Sequence, residues 1–231
     1  MVKKGYKQTE IGVIPEDWEV KNFREVSKVN QGLQIAISKR LKQSKYNAKV
    51  YITIQYLNNS KNKEYILNYT PQVLCDKNDI LLTRTGNTGI VVTGVNGVFH
   101  NNFFKINYNR TIFDKKYLVY FLKFNKIQNL ILSKAGTSTI PDLNHNDFYS
   151  IPVVIPPKPE QEKIAKVLSD TDELIENLKE LIAKKEDIKK ATMQQLLTGK
   201  KRLKGFSGEW VERKLLHCCF FYILFFCYKL F

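Results

Sequence analysis

Residues 151–197 read IPVVIPPKPEQEKIAKVLSDTDELIENLKELIAKKEDIKKATMQQLL, and a change of character inside that stretch sets the architecture. Residues 151–159 carry four prolines, which remove backbone donors and push their predecessors into extended geometry, so this part predicts a closing strand and a stiff linker rather than a helix. From Glu160 to about Leu197 there is no Pro or Gly, and apolar residues fall on heptad rows. One row is Ile164, Thr171 and Leu178; the next is Val167, Leu174, Leu181 and Ile188; a third is Leu168, Ile175, Ile182 and Leu196. Three rows make a stripe wider than a two-stranded seam, suited to a partner helix and something more. The helix is on the order of 57 Å long at 1.5 Å per residue, and Thr198-Gly199-Lys200 stops it. A helix folded back on its own domain is the competing reading of the same stripe.

Upstream the pattern is mixed. Ile80-Leu-Leu-Thr83 and the run from Gly89 to Gly94 are short β-type segments around the turn Arg84-Thr-Gly-Asn-Thr-Gly89, which predicts a hairpin or tight strand-loop-strand. Asp114 to Asn129 places Leu118, Phe121, Leu122 and Ile127 near helical spacing behind an aspartate cap. A faint internal echo joins Pro15-Glu-Asp-Trp18-Glu-Val-Lys-Asn-Phe23 to Ser207-Gly-Glu-Trp210-Val-Glu-Arg-Lys-Leu215, where a second unit would begin.

The chain has 231 residues, enough for one large domain or one domain with an appendage, and 43% hydrophobic against 26% charged residues place it in the globular class. Of its net charge of +15, residues 1–159 hold +12. Such an excess favours a polyanion, because each cation on a phosphate releases condensed counterions. The Lys-over-Arg bias, 31 to 6, is also what an A/T-rich genome produces unaided.

Catalytic signatures are missing. Gly86, Gly89, Gly94 and Gly97 fit neither the dinucleotide fingerprint nor a P-loop, and Gly199-Lys200 has Gln194 where the first glycine belongs. The string nearest to a methyltransferase N-P-P-[FYW] pocket, Asn101-Asn-Phe-Phe104, lacks the proline. His100, His145 and His217 are the only histidines, and no zincin motif or nucleophile elbow contains them. Asp76, Lys77 and Asp79 read as a turn before a strand. Cys75, Cys218, Cys219 and Cys227 make neither a disulfide framework nor zinc spacing, so no metal and no cofactor is expected. Residues 1–12 are basic but carry no apolar export segment, which gives a cytoplasmic expectation. Cys218 to Tyr228 is an apolar run too short to span a membrane, and residues 216–231 read as the product of a frameshift or rearrangement.

The segment from Pro156 through Gln161 and Ala165 to Leu168, leading into the heptad helix and Leu196-Leu-Thr-Gly-Lys200, resembles the central region of type I restriction-modification specificity subunits. Ile11-Gly-Val-Ile-Pro15-Glu-Asp-Trp18, Asn78-Asp-Ile-Leu-Leu-Thr-Arg84-Thr-Gly86 and Gly136-Thr-Ser-Thr-Ile-Pro-Asp-Leu143 resemble the landmarks of that family's first target recognition domain. The resemblance spans about residues 5–215. It implies an α+β fold: a mixed target recognition domain over residues 1–158, then a spacer helix over 159–199 that pairs as an antiparallel coiled coil, then the start of an aborted second repeat over 200–231. It further implies a non-catalytic reader of double-stranded DNA that docks methylation subunits and, through them, restriction subunits. With one helix where the family has two, the expected assembly is a two-fold homodimer through residues 160–197, with no membrane partner.

Within that reading Arg84 is the first candidate base reader, since an arginine on a glycine-rich turn can offer its fork to guanine, with Thr85 and Asn87 on the same loop. Lys39, Arg40, Lys42 and Lys45 are candidate phosphate contacts, and Thr137, Ser138 and Thr139 candidate hydroxyl donors. Ile164, Val167, Leu168, Leu174, Ile175, Leu178, Leu181, Ile182 and Ile188 are the candidate helix interface. Two rivals stay open: an inactive truncated remnant of such a subunit, and a stand-alone DNA-binding regulator.

Overall fold

A computed structural model of the chain describes residues 3–136, 140–209 and 211. The apolar tail, Trp210 and the Thr137, Ser138 and Thr139 candidates lie outside the described residues.

The chain opens with an antiparallel hairpin, β1 (Tyr6–Thr9) and β2 (Gly12–Pro15), followed by β3 (Glu19–Asn22), the short helix α1 (Phe23–Val26) and β4 (Ser27–Gln31). A long excursion leads to β5 (Lys49–Ile52), α2 (Ile54–Asn58), β6 (Tyr65–Ile66) and β7 (Leu74–Cys75). Then come β8 (Ile80–Thr83), β9 (Val91–Val92), β10 (Gly97–Phe99) and β11 (Phe103–Tyr108). Helices α3 (Lys115–Lys123), α4 (Asn125–Ala135) and α5 (His145–Tyr149) precede β12 (Pro152–Ile155) and α6 (Lys158–Leu197). The strands form two four-stranded sheets, ordered β4-β11-β8-β9 and β6-β5-β10-β7, and two ribbons, β1-β2 and β12-β3.

The first of these sheets is a wall shared by two apolar cores, and strand alternation explains how. Successive side chains point to opposite faces. Ile80 and Leu82 of β8, with Phe104 and Ile106 of β11, face a core built with Phe23, Leu118, Leu122 and Phe148. Leu81 and Phe103, one residue out of phase, face the other core with Tyr51, Ile52, Val98 and Phe99. Both faces being buried, Ile80-Leu-Leu-Thr83 reads as a continuous rather than an alternating apolar run.

The hairpin at β8-β9 forms in the expected place, with Leu81 opposite Val92 and Leu82 opposite Val91. Asp114 caps α3, its Oδ1 accepting from the Tyr117 N–H at 2.9 Å. The single helix expected over Asp114–Asn129 is two helices, broken at Phe124, which is extended (φ −62°, ψ 129°). The break is stabilised from a distance: Gln128 Nε2 donates to the Leu122 carbonyl freed by it and to the Gly89 carbonyl at 2.9 Å.

At the proline run, β12 pairs antiparallel with β3, Val154 opposite Val20, so the end of the mixed α and β region closes on its beginning. The stiff linker is shorter than the prolines imply. Helix α6 starts at Lys158 and takes Pro159 into its first turn, where a missing N–H leaves no intrahelical bond unmade. Two compact units result, Met1–Asp170 and Thr171–Phe231, the first containing the opening turns of α6. Those turns are seated by Ala165, 2% exposed, and Gln161, fully buried. Gln161 Oε1 accepts from the Asp114 N–H, and its Nε2 donates to the Ile112 and Pro156 carbonyls, all at 2.9 Å. Beside it, Trp18 Nε1 donates to Glu160 Oε2 at 3.0 Å.

Candidate nucleic-acid interface

Between Glu25 and Glu64 the chain holds eight Lys and Arg residues and no Asp or Glu. The middle of that run, residues 32–48, is the connection between β4 and β5, and it is held closely to the second core. At Gly32 an added Cβ would lie 2.2 Å from the His100 carbonyl, so only glycine lets the strap cross the β10–β11 turn there. Leu33 N–H then donates to the Phe99 carbonyl at 2.9 Å. Tyr51 Oη, rising from the core, donates to the Leu33 carbonyl at 2.6 Å and accepts from the Ile35 N–H at 3.2 Å.

Arg40 is the inward anchor of the strap. Its Nε and Nη2 donate to the Ile35 carbonyl at 3.0 and 2.8 Å, its Nη1 lies 2.9 Å from Glu64 Oε2, and the guanidinium sits 5.1 Å over the Tyr51 ring. The side chain is 17% exposed, which suits a positioning role better than a phosphate contact. Lys42 is 75% exposed although its ammonium also reaches Glu64, at 2.6 Å, and Lys39 and Lys45 are exposed. Burial pushes the Glu64 carboxyl upward, but hydrogen bonds and charge from Lys42 and Arg40 outweigh it and hold the group below the usual carboxylate value. Burial, with Arg40 nearby, lowers His100 against a small opposing hydrogen bond from Asn102.

The Arg84 turn is pinned as firmly. Arg84 Nε donates to the Leu143 carbonyl at 3.1 Å, Nη2 bonds the Asp142 carboxylate at 2.9 Å, and the guanidinium lies 5.2 Å over the Phe104 ring. Thr85 Oγ1 donates to Asp142 Oδ1 at 2.5 Å, Gly86 N–H to the Pro141 carbonyl at 3.1 Å, and Thr88 Oγ1 to the carbonyls of Arg84 and Pro141. Gly86, at φ 81°, and Gly89, at φ 95°, supply the left-handed residues of the turn. Arg84 is thus 13% exposed and joins two loops 58 residues apart, a task different from the open fork that its glycine neighbours suggested. Burial and the Arg84 charge lower His145, whose ring centroid lies 4.6 Å from that of Phe104, the planes tilted by 59°. Asn87 remains exposed at the tip.

Sequence reasoning missed Glu64, Asp142 and Gln161. Each acts on a partner 22 residues or more away. The one local clue was for Glu64, the first acid after a long cationic run.

On α6 the candidate interface is laid out as the heptads require. Ile164 packs partly against the first core, while Val167, Leu174, Ile182 and Ile188 are 57–64% exposed and Leu168, Ile175, Leu178 and Leu181 40–49%. Among the described residues no group of three or more His, Cys, Asp or Glu gathers to hold a metal, and no helix is long and apolar enough to cross a membrane. Cys75 is a buried thiol that burial pushes up to about 11.

Residues 15–187 match the type I restriction modification DNA specificity domain. The chain belongs to this family. As a specificity domain it is 30% identical over 186 residues to the type I restriction enzyme MjaVIII specificity subunit of Methanocaldococcus jannaschii, covering 80% of this chain and 43% of that protein. It is 30% identical over 187 residues to the MjaIX specificity subunit of the same organism, covering 75% and 42%. The specificity domain therefore spans less than half the length of these curated relatives. In fold it is similar to the S subunit of a type I restriction-modification system from M. genitalium (TM-score 0.52, 22% identity, 77% of this chain and 45% of that one). It is also similar to the HsdS subunit from Thermoanaerobacter tengcongensis (TM-score 0.61, 14% identity, 83% and 47%).

Proposed function

We propose that this specificity domain is the DNA-reading half of a type I restriction-modification specificity subunit. It catalyses nothing itself and directs methylation subunits, and through them restriction subunits, to a bipartite site. The observation that carries the reading is the family match over residues 15–187, which runs through the recognition region and most of α6. The cationic strap supports it: Lys39, Lys42 and Lys45 offer phosphate contacts that set register, while Arg40 holds the strap that presents them. Asn87 then stands as the base-reading candidate of the Arg84 turn, the Thr85 hydroxyl being engaged by Asp142.

The exposed apolar row on α6 supports a second copy as partner. A two-fold pair uses the same stripe on both chains, and its two identical recognition domains read an inverted repeat. The test is co-expression with a methylation subunit in a methylation-free host, followed by base-resolution mapping of modified adenines. Modification confined to an inverted-repeat motif is expected. Soluble protein beside a competent methylation subunit, with no modification, refutes the reading and favours an inactive remnant.

A further inference from the structure

Two of the most exposed large apolar side chains of the recognition region, Ile37 at 72% and Tyr46 at 90%, both stand on the strap between β4 and β5. Single exposed apolar residues need no explanation. These two differ in how rigidly their backbone is presented. Ile37 opens a one-turn 3-10 helix, Ile37–Lys39, closed by Lys39 N–H on the Ala36 carbonyl at 2.9 Å and Arg40 N–H on the Ile37 carbonyl at 3.1 Å. On one side that turn is fixed by the Tyr51 hydroxyl at Leu33 and Ile35, on the other by the bonds of Arg40. Tyr46 stands on a turn closed by Ala48 N–H on the Lys45 carbonyl at 3.0 Å. Asn47 there adopts φ 59°, and its carbonyl accepts from Tyr69 Oη at 3.1 Å.

The surroundings decide what such a pair is for. Lys39, Lys42, Lys45 and Lys49 flank it, no acid stands between Glu25 and Glu64, and Glu64 is already engaged by Arg40 and Lys42. Two apolar side chains are far too little for a protein interface, which takes about 20 to 30 residues a side. A partner that is anionic on its outside and apolar within reach of a protruding side chain is duplex DNA: phosphates for the lysines, and thymine methyls or an opened base step for the apolar tips.

We propose that Ile37 and Tyr46 are specificity-determining residues that contact bases directly. The proposal rests on the DNA-reading function above and assigns the base contact to side chains other than Arg84.

Because both side chains protrude, Ile37→Ala and Tyr46→Ala leave the melting temperature at the wild-type value. The experiment incubates the full-length chain with a duplex pool carrying a randomised cassette, sequences the retained DNA, and measures binding to the enriched duplex across a salt series. For the wild type, an enriched motif is expected. In Ile37→Ala and Tyr46→Ala, preference at one or two positions of that motif falls by about fivefold to a hundredfold, with the salt slope unchanged. In Lys45→Ala the motif is unchanged, and affinity falls uniformly with a salt slope smaller by about one. Deoxyuridine in place of thymine reproduces the loss if the contact is a thymine methyl, and 2-aminopurine brightens if a step is opened. Wild-type enrichment retained at full strength in both variants overturns this proposal and leaves the DNA reading standing. Failure of the wild type to bind or enrich any duplex overturns both.

Discussion

Replacing Gln161 by Leu isolates what seats α6 on the recognition region. The side chain is fully buried and makes three hydrogen bonds of 2.9 Å, to the Asp114 N–H and to the Ile112 and Pro156 carbonyls. Leucine matches its volume closely, so no cavity is created, but those three backbone groups lose their partner. At about 1–3 kcal/mol for each group left unsatisfied, the gross cost is about 3–9 kcal/mol. Burying an aliphatic chain instead of an amide returns about 1–2 kcal/mol. The expected net loss is therefore about 1–8 kcal/mol, to be set against a typical domain stability of about 5–15 kcal/mol. Urea denaturation can follow it through Trp18, whose indole N–H bonds Glu160 one residue before Gln161. Trp210 replaced by Phe in both proteins leaves Trp18 as the only indole. A loss below about 0.5 kcal/mol, the range of an ordinary surface substitution, would refute the reasoning.

Asp142→Ala removes the acceptor of Arg84 and Thr85 while leaving a guanidinium that is 13% exposed, so a loss of about 1–3 kcal/mol is expected. Hydrogen exchange at the Gly86 and Leu143 amides should accelerate more than at Ile106, and equal effects at all three would count against a local pin. The strap should be acid-labile. Glu64 and His100 both have folded pKa values below their ordinary ones, so in each case the unfolded chain binds the proton first and stability falls with falling pH. The loss begins as pH drops through about 6.5 for His100 and continues through about 4.3 for Glu64. The gap in melting temperature between wild type and Glu64→Gln should therefore shrink as pH is lowered from 6 towards 3, and a constant gap would exclude Glu64 as the cause. On α6, Leu178→Glu places a charge in the apolar stripe of both copies and should turn a dimer into a monomer in light scattering at micromolar concentration. An unchanged mass would rule out pairing through this face.

What could be read in the sequence is what is local in it. The heptad rows, the Asp114 cap and the turn between β8 and β9 are each specified by residues a few positions apart, and each forms where expected. The two corrections come from partners that no window contains. Helix propensity runs straight through Phe124, but Gln128 reaches the Gly89 carbonyl 39 residues back and makes the break tolerable. Prolines are a correct sign against helix interiors, yet the first turn of α6 accepts Pro159, which has no intrahelical bond to lose there, and Gln161 and Ala165 seat that turn in the core. At the candidate site the charge excess was visible and its division of labour was not. Arg40 and Lys42 are alike in sequence, two positions apart, but Tyr51 and Glu64 draw the first inward and leave the second mostly exposed.

On the proposed function, the strings that make this chain recognisable are therefore a poor guide to which bases it contacts. Pro15-Glu-Asp-Trp18 and Pro159-Glu-Gln161 meet through the indole bond to Glu160. Thr83-Arg84-Thr-Gly86 and Pro141-Asp-Leu143 meet through Asp142. In both places the recognisable residues are those whose partners lie far along the chain, so they hold the frame and are constrained by each other. A base contact has the opposite physics: it must protrude, lack an internal partner and change freely with the sequence to be read. Ile37 and Tyr46 meet the first of those conditions on a strap that carries no recognisable motif. A frame fixed by long-range pins and a reading edge free of them is how one fold can serve many recognition sequences. By the same logic the reading edge is where this family should be hardest to recognise from sequence.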